Sequence, residues 1–146
     1  MSPSRMAGLS QDVRGELKLA RILLIDDEHG VRSVARLILE RAGHEVVEAS
    51  DGSQGMTLFR RGAFDLVITD LYMPDKEGIE TIQDIVGLGR EIPILAMSGG
   101  GGVSAQTGDA LVDAQLFGAN GTLAKPFSAE ALRDAVDELL SSSQVG

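Results

Sequence analysis

The chain alternates short apolar runs, which predict strands, with segments whose apolar residues recur at helical spacing. The runs lack a strict alternation of polar and apolar positions. Continuous runs of this kind are typical of strands that are buried on both faces of a parallel sheet. The predicted strands are residues 21–25, 46–49, 66–70, 94–97 and 122–124.

The segments between these strands predict amphipathic helices. In residues 31–42 one helical face is apolar, and Gly43 follows as a stop signal. That face consists of Val31, Val34, Ala35, Ile38 and Leu39. Further helices are predicted at 54–61, 78–88 and 109–117, and a last one follows a cap at Ser128. The buried stripe of the last helix is predicted to be Ala131, Leu132, Ala135, Val136 and Leu139.

Five successive strand–helix units predict an α/β domain of the doubly wound (βα)5 type. Alternating units imply a parallel sheet with right-handed crossovers and with helices on both faces. The predicted domain covers residues 20–141. Residues 1–19 are polar, small and unpatterned at first, so we predict a disordered or partly helical arm there, and 142–146 are predicted to be a loose tail.

Composition narrows the class of function. A length of 146 residues suits one domain with a real core. The net charge of −9 argues against direct binding of nucleic acid, which needs a basic footprint. No apolar segment approaches the ~20 residues needed to cross a bilayer, and no secretory leader is evident. The chain has no cysteine, which fits a cytoplasmic location.

Polar side chains follow four of the predicted strands at the point where each strand ends. Asp26 and Asp27 follow the first strand, Asp70 ends the third, Ser98 follows the fourth, and Lys125 follows the fifth. Ligands of open α/β sheets bind outside the carboxyl ends of the strands. Three carboxylates, a hydroxyl and an ammonium at one point would suit a divalent cation and a phosphoryl group.

Each of these residues also has an ordinary structural interpretation. Acidic residues such as Asp26 and Asp27 are favourable at helix starts, and Asp70 and Ser98 are common turn residues. Lys125 before a proline could be a solvated lysine, although an X-Pro bond is also the usual place for a cis peptide that would aim it inward. Their joint occurrence at four strand ends favours a site, in which the Asp70 carboxylate could act as a nucleophile and form an acyl phosphate.

The chain resembles the receiver domain of bacterial two-component response regulators from about residue 21 to residue 140. The matching segments are Ile22-Leu-Leu-Ile-Asp-Asp-Glu28, Asp65-Leu-Val-Ile-Thr-Asp-Leu-Tyr-Met-Pro-Asp75 followed by Gly78, Ala96-Met-Ser98, and Gly118-Ala-Asn-Gly-Thr-Leu-Ala-Lys-Pro-Phe127. Together these segments are a highly specific match. The resemblance implies a flavodoxin-like receiver fold with strand order 2-1-3-4-5.

The resemblance also implies a role for each residue of the site. Asp70 would be the phosphoacceptor, and Asp26 and Asp27 the acidic pair that binds Mg²⁺, with Asp27 the direct ligand. The backbone carbonyl of Tyr72 and the Asp70 carboxylate would complete the protein ligands of the metal. Ser98 would move to meet the phosphoryl group and Lys125 would bond it. Positioning and charge neutralisation of this kind account for most of phosphoryl-transfer catalysis.

The function implied is that of a stand-alone signalling receiver in a phosphorelay. It would take a phosphoryl group from a sensor histidine kinase or a histidine phosphotransfer protein and catalyse only its own phosphorylation and dephosphorylation. Phosphorylation would shift a two-state equilibrium. The output would pass to a protein partner or a homodimer, on the face formed by the helix at 109–117, the fifth strand and the last helix.

The sequence departs from the usual receiver pattern at two places. Thr122 stands where receivers often carry an aromatic residue that turns inward, so an aromatic rotamer switch is not expected. The run Gly99–Gly102 predicts a mobile loop that orders on activation. His29 and His44 lack partners at ligand spacing, so neither is assigned a catalytic or metal role.

Two other classes of function stay open at this stage. One is a Mg²⁺-dependent phosphatase or phosphotransferase with an aspartyl-phosphate intermediate. Such enzymes usually carry Asp-x-Asp after the first strand and a cap domain, whereas this chain has Asp26-Asp27. The other is a flavodoxin-like binding module, in which the same two carboxylates would repel a flavin phosphate.

Overall fold

The fold is taken from a computed structural model that describes residues 19–71, 78–98 and 118–145, with side chains up to Ser142. Three of the predictions fall outside these ranges: the arm before Leu19, the glycine run with the helix at 109–117, and the Tyr72 carbonyl. Within the described residues, no helix is both long enough and apolar enough to span a bilayer.

The described residues form five strands and four helices. Strands and helices alternate up to the fourth strand, and the fifth strand and the last helix complete the order. The strands are β1 (Arg21–Ile25), β2 (Glu45–Ala49), β3 (Leu66–Asp70), β4 (Ile94–Ser98) and β5 (Gly121–Ala124). The helices are α1 (His29–Arg41), α2 (Gly52–Arg61), α3 (Gly78–Gly87) and α4 (Ala129–Val145). The Asp51 carboxylate caps α2 by accepting from the Gln54 amide at 2.8 Å, and the Ser128 hydroxyl caps α4 through the Ala131 amide at 3.0 Å, as predicted.

All strand pairs of the sheet are parallel, and the strands lie in the order β2-β1-β3-β4-β5. The predicted fold class is therefore confirmed. After β2 the chain crosses back over β1 to form β3 on the other side. The direction of winding thus reverses between β1 and β3, and their carboxyl ends flank the crevice where open α/β sheets bind ligands.

The core consists of two apolar layers, one on each face of the sheet. Successive residues of β1 alternate between them, since Leu23 and Ile25 belong to one layer and Ile22 and Leu24 to the other. Residues of α2 and α3 complete the first layer, and residues of α1 and α4 complete the second. This two-sided burial explains the nearly continuous apolar runs of the central strands β1, β3 and β4.

The structure corrects the sequence analysis at two points outside the sheet. Val34, predicted on the buried face of α1, is 55% exposed, because the helix turns only Ala35 and Leu39 fully inward and leaves Val34 beyond the edge of that stripe. The predicted loose tail at 142–146 is also wrong for residues 142–145, since α4 continues to Val145. The domain boundaries at 20 and 141 otherwise stay predictions.

Candidate functional site

The strand register brings the predicted site residues together at the carboxyl edge of the sheet. Ile25 pairs with Thr69, so Asp26 and Asp70 come next on neighbouring strands. Asp70 pairs with Met97, which places Ser98 one position further along β4. Ser98 in turn pairs with Ala124, which directly precedes Lys125. The pairing of the backbone thus groups the polar residues of four strand ends.

Three carboxylates converge at this edge. Asp26, Asp27 and Asp70 each offer an oxygen, and these oxygens lie within 4.8 Å of one another. Asp26 is fully buried and Asp70 is 5% exposed, whereas Asp27 is exposed. Two buried carboxylates so close together are costly unless a cation neutralises them.

The Lys125 ammonium lies between the acidic side chains. Its Nζ is 3.0 Å from Asp26 Oδ2, 3.2 Å from Asp70 Oδ1 and 3.2 Å from Glu28 Oε1. The lysine side chain is only 7% exposed, and its peptide bond to Pro126 is cis. Burial would lower the pKa of Lys125, but its hydrogen bond to Asp26 and the charge of Asp70 outweigh burial and raise it. Lys125 is therefore a permanent cation in this site.

The negative charges of the cluster make the Asp70 carboxyl harder to ionise. Burial and the charge of Asp26 raise its pKa from 3.8 to about 6, although Lys125 opposes both effects. One ammonium therefore does not neutralise the three aspartates. The cluster retains an excess of negative charge that a divalent cation would offset.

The hydroxyl of Ser98 is the one buried side-chain polar atom without a hydrogen-bond partner among the described residues. The residue is fully buried, and its backbone carbonyl accepts from the Lys125 amide at 2.7 Å. A buried hydroxyl without a partner is destabilising by about 1–3 kcal/mol. Ser98 ends β4 between the strand ends that carry Asp70 and Lys125, and this position suits a donor to an oxygen-rich group bound at that edge.

The backbone that carries Asp70 is held from two sides. The Thr69 hydroxyl donates to the Asp70 carbonyl at 3.0 Å, and the Gly78 amide donates to the Leu71 carbonyl at 3.0 Å. A Cβ on Gly78 would lie 2.1 Å from the Asp70 carbonyl oxygen. Only glycine allows the first turn of α3 to approach the end of β3 so closely.

The donor set fits Mg²⁺, which prefers carboxylate oxygens and commonly binds through one or two of them together with a phosphate. Asp27 has the carboxylate that is exposed, whereas Asp26 is bonded to Lys125. The expectation that Asp26 and Asp27 bind the metal, with Asp27 the direct ligand, stays a prediction. The Tyr72 carbonyl lies outside the described residues.

Sequence reasoning did not find Glu28 and Arg32, which contact the same cluster. Glu28 reaches Lys125, although 97 residues separate them in the chain. The Arg32 guanidinium donates to the Asp26 carbonyl at 2.7 Å. Glu28 could have been suspected because it follows two aspartates, but nothing in the sequence marks Arg32. Among the described residues His29 has polar contacts with Arg32 and Ser33, at 3.4 Å each, and His44 lies at the other end of the sheet.

A family model described as the response regulator receiver domain matches residues 22–137. That range covers the strands, the acidic cluster and Lys125. The chain belongs to the response regulator receiver family. The predicted resemblance is thereby confirmed, and the receiver's place in phosphoacceptor signalling with it.

Curated relatives of two kinds resemble this receiver. It is 32% identical over 122 residues to chemotaxis protein CheY of Bacillus subtilis (strain 168), covering 83% of this chain and 98% of that protein. It is 35% identical over 109 residues to the uncharacterized transcriptional regulatory protein YcbL of the same strain, covering 73% of this chain and 44% of that protein. The chain thus spans about half or less of the length of the longer, regulatory relatives.

Solved receivers share the fold at similar identity. A response regulator receiver domain protein from Clostridium thermocellum matches with a TM-score of 0.77 and 29% identity, over 87% of this chain and 98% of that one. These relatives are signalling proteins of the receiver family, so the phosphatase and flavin-binding alternatives are not favoured.

Proposed function

We propose that this receiver accepts a phosphoryl group on Asp70 with the help of Mg²⁺. The observation that carries the proposal is the pairing of Asp70 Oδ1 with Lys125 Nζ at 3.2 Å, together with the unpartnered hydroxyl of Ser98 at the end of the neighbouring strand β4. The carboxylate is the nucleophile, the ammonium neutralises charge, and the hydroxyl is a free donor. This combination suits an acyl phosphate better than it suits a permanently bound small molecule.

The chemistry is transfer of a phosphoryl group between two side chains. An Asp70 oxygen attacks phosphorus as the P–N bond of a phosphohistidine breaks, and the imidazole leaves with the electron pair and takes up a proton. Asp26, Asp27 and Asp70, with the carbonyl of Tyr72, would hold Mg²⁺. Bound there, the metal would supply positive charge to the attacking carboxylate and the phosphoryl oxygens.

The same residues would hold the product. Lys125 would bond one phosphoryl oxygen, exchanging part of its contact with Asp26 and Glu28 for the new anion. Ser98 would donate to another oxygen and so acquire a partner. The phosphoryl adds about 1.5 to 2 negative charges, which is enough to reorganise the charges around both residues.

The partners we propose are proteins. A sensor histidine kinase or a histidine phosphotransfer protein would supply the phosphoryl group, and a downstream protein or a second copy of the receiver would recognise the changed surface. The names of the relatives, which include a sporulation phosphotransferase and chemotaxis proteins, agree with protein partners. We place this exchange in the cytoplasm, without direct contact with nucleic acid or membrane. The receiver would catalyse only its own phosphorylation and dephosphorylation.

The test is phosphorylation by acetyl phosphate in Mg²⁺, followed by intact mass. Wild type should gain the mass of one phosphoryl group, and Asp70→Asn should gain none. Asp134→Asn, which removes an exposed carboxylate on α4, is the matched control and should behave as wild type. An equal gain in Asp70→Asn would place the acceptor elsewhere. Steady turnover of p-nitrophenyl phosphate would instead support the phosphatase alternative.

A further inference from the structure

Arg32 connects the acidic pair to a second charged cluster outside the acceptor site. Its Nη1 donates to the Asp26 carbonyl at 2.7 Å, and its Nε donates to Glu48 Oε1 at 2.7 Å. The arginine side chain is 14% exposed and that of Glu48 is 22% exposed. A mostly buried guanidinium bonded at two of its nitrogens is held in one geometry, unlike a surface cation.

The bond from Arg32 completes a set of contacts that fix Asp26 at every polar group. The Asp26 amide donates to the Ala49 carbonyl of β2 at 3.1 Å. Its Oδ1 accepts from the Glu28 amide at 2.9 Å, and its Oδ2 accepts from Lys125. The peptide that joins Asp26 to Asp27 includes the carbonyl held by Arg32. Arg32 therefore bonds the backbone directly between the two carboxylates.

Glu48 fixes the arginine in turn. Near the end of β2 its carboxylate accepts from both Arg32 and Arg36, and these bonds lower the pKa of Glu48 although burial opposes them. Arg36 bonds Glu40 and Glu48, not Asp26. The two arginines thus share one carboxylate, but Arg32 alone of the two continues the chain of contacts to the acidic pair.

We propose that Arg32, held by Glu48, is a positioning residue that sets the Asp26–Asp27 pair for a divalent cation. The inference rests on the proposed Mg²⁺ site. Mg²⁺ demands near-octahedral geometry and tolerates misplaced ligands poorly. Residues that orient metal ligands without touching the metal commonly change its affinity by about 10- to 100-fold. Arg32 reaches the ligand pair through the main chain, so its effect requires no contact with the cation.

The decisive comparison is Arg32→Met against Arg36→Met, measured by Mg²⁺ titration calorimetry without a phosphoryl donor. Both variants remove one cation from Glu48, but only Arg32→Met releases the Asp26 carbonyl. We expect Mg²⁺ to bind about tenfold more weakly to Arg32→Met and within about twofold of wild type to Arg36→Met. Arg32→Lys should fall between them, since an ammonium cannot match both bonds of the planar guanidinium. Equal weakening in the two methionine variants would overturn the proposal.

A metal-free measurement separates this inference from the proposed function. Amide hydrogen exchange of Glu28, whose N–H is bonded to Asp26 Oδ1, reports the order of the acidic segment directly. Exchange there should be faster in Arg32→Met and unchanged in Arg36→Met. A wild type that fails to bind Mg²⁺ would refute the proposed metal site. Wild-type protection of Glu28 in Arg32→Met would refute the positioning role.

Loss of the fold would be recognised by circular dichroism in EDTA. If Arg32→Met is unfolded, Glu48→Gln provides the same test, because it leaves Arg32 in place and weakens its anchor, while Arg36→Met controls for the simultaneous loss of the Arg36–Glu48 pair. Glu48→Gln should weaken Mg²⁺ binding less than the tenfold expected for Arg32→Met and should speed exchange at Glu28. Wild-type values for both measurements in a folded Glu48→Gln would overturn the proposal.

Discussion

The two ends of the sheet use polar side chains in opposite ways. At the amino end, side-chain acceptors bond backbone amides near the strand starts: His44 accepts from Ala20, Asp65 from Arg21, and Asn120 from Ile94. At the carboxyl end, three aspartates lie close together, only Asp26 and Asp70 of them pair with Lys125, and Ser98 has no partner among the described residues. The amino end satisfies its backbone, whereas the carboxyl end accumulates buried charge.

This difference separates the part of the molecule that stabilises the fold from the part that carries chemistry. Arg21 and Arg90 at the amino end lie over Phe64 and Phe59, at 4.6 and 4.8 Å from the ring centroids, and also donate to backbone carbonyls. Such contacts stabilise the fold and leave no group unpartnered. The raised pKa of Asp70 shows the reverse situation, in which folding makes ionisation of a carboxyl harder.

The largest effect on stability should come from Gly78→Ala, because the new side chain would clash with the backbone at the carboxyl end of β3. The new Cβ would meet the Asp70 carbonyl oxygen at 2.1 Å and the Leu71 Cα at 2.7 Å, and neither backbone atom can move without shifting β3. We expect the free energy of unfolding in urea to fall by about 3 kcal/mol or more. Gly87→Ala, on the same helix with nothing within 4 Å of its Cβ, should leave stability unchanged or raise it by up to about 1 kcal/mol. Similar losses in both variants would contradict this account.

Asp70→Asn should stabilise the fold, because it removes a buried negative charge that destabilises the native state. The native pKa of about 6 lies above the ordinary 3.8, so ionised Asp70 destabilises the native state above about pH 6. Near neutral pH the variant should be more stable by about 2 to 3 kcal/mol in EDTA. As pH falls through about 6 toward 3.8, wild type takes up the proton and the advantage should disappear. A constant advantage across that range would rule out ionisation as its source.

His44 should give the amino end the opposite response to pH. Burial lowers the pKa of His44 below 6.5, although the charges of Asp137 and Asp65 oppose this, and the neutral ring accepts from the Ala20 amide at 3.0 Å. Its contribution is therefore complete above about pH 6.5 and is lost as pH falls below that value. We expect His44→Leu to remove an acid-dependent loss of the free energy of unfolding, measured in urea below about pH 6.5. The exposed His29→Gln serves as control and should retain that loss.

The smallest effects should come from exposed carboxylates at either end. Glu28 contacts Lys125 and Glu45 contacts Arg21, each at 3.2 Å, and their side chains are 59% and 66% exposed. Solvent screens both pairs, so Glu28→Gln and Glu45→Gln should each change the free energy of unfolding by about 0.5 kcal/mol or less. If Glu28→Gln alone lowered the free energy of unfolding by well above 1 kcal/mol, the Glu28–Lys125 pair would act as part of the buried cluster and not as a solvent-screened pair.

The sequence predicted the sheet and the grouping of the site because both depend on local patterns. Continuous apolar runs gave the strands, and parallel pairing then required Asp26, Asp70, Ser98 and Lys125 to meet. The strand order itself came from the resemblance to receivers. The exposure of Val34 was missed because helical spacing defines a stripe without defining where its edge meets solvent.

The contacts that tune the site were beyond sequence reasoning for a different reason. Arg32 donates to the Asp26 carbonyl across the turn from β1 into α1, and α4 continues to Val145 although its last turn is polar. The raised pKa of Asp70 likewise depends on distances between carboxylates from different strands. Spacing along the chain does not encode such distances.

The strand that supplies the ammonium is the outermost one on its side of the sheet. β5 has only four residues, pairs with β4 alone among the described strands, and is partly exposed along its length. Edge strands open more readily than central ones, since fewer contacts hold them. Opening of β5 would withdraw Lys125 and leave the carboxylates of Asp26 and Asp70 without their shared cation. Repulsion between these two carboxylates therefore opposes the opening of this edge strand.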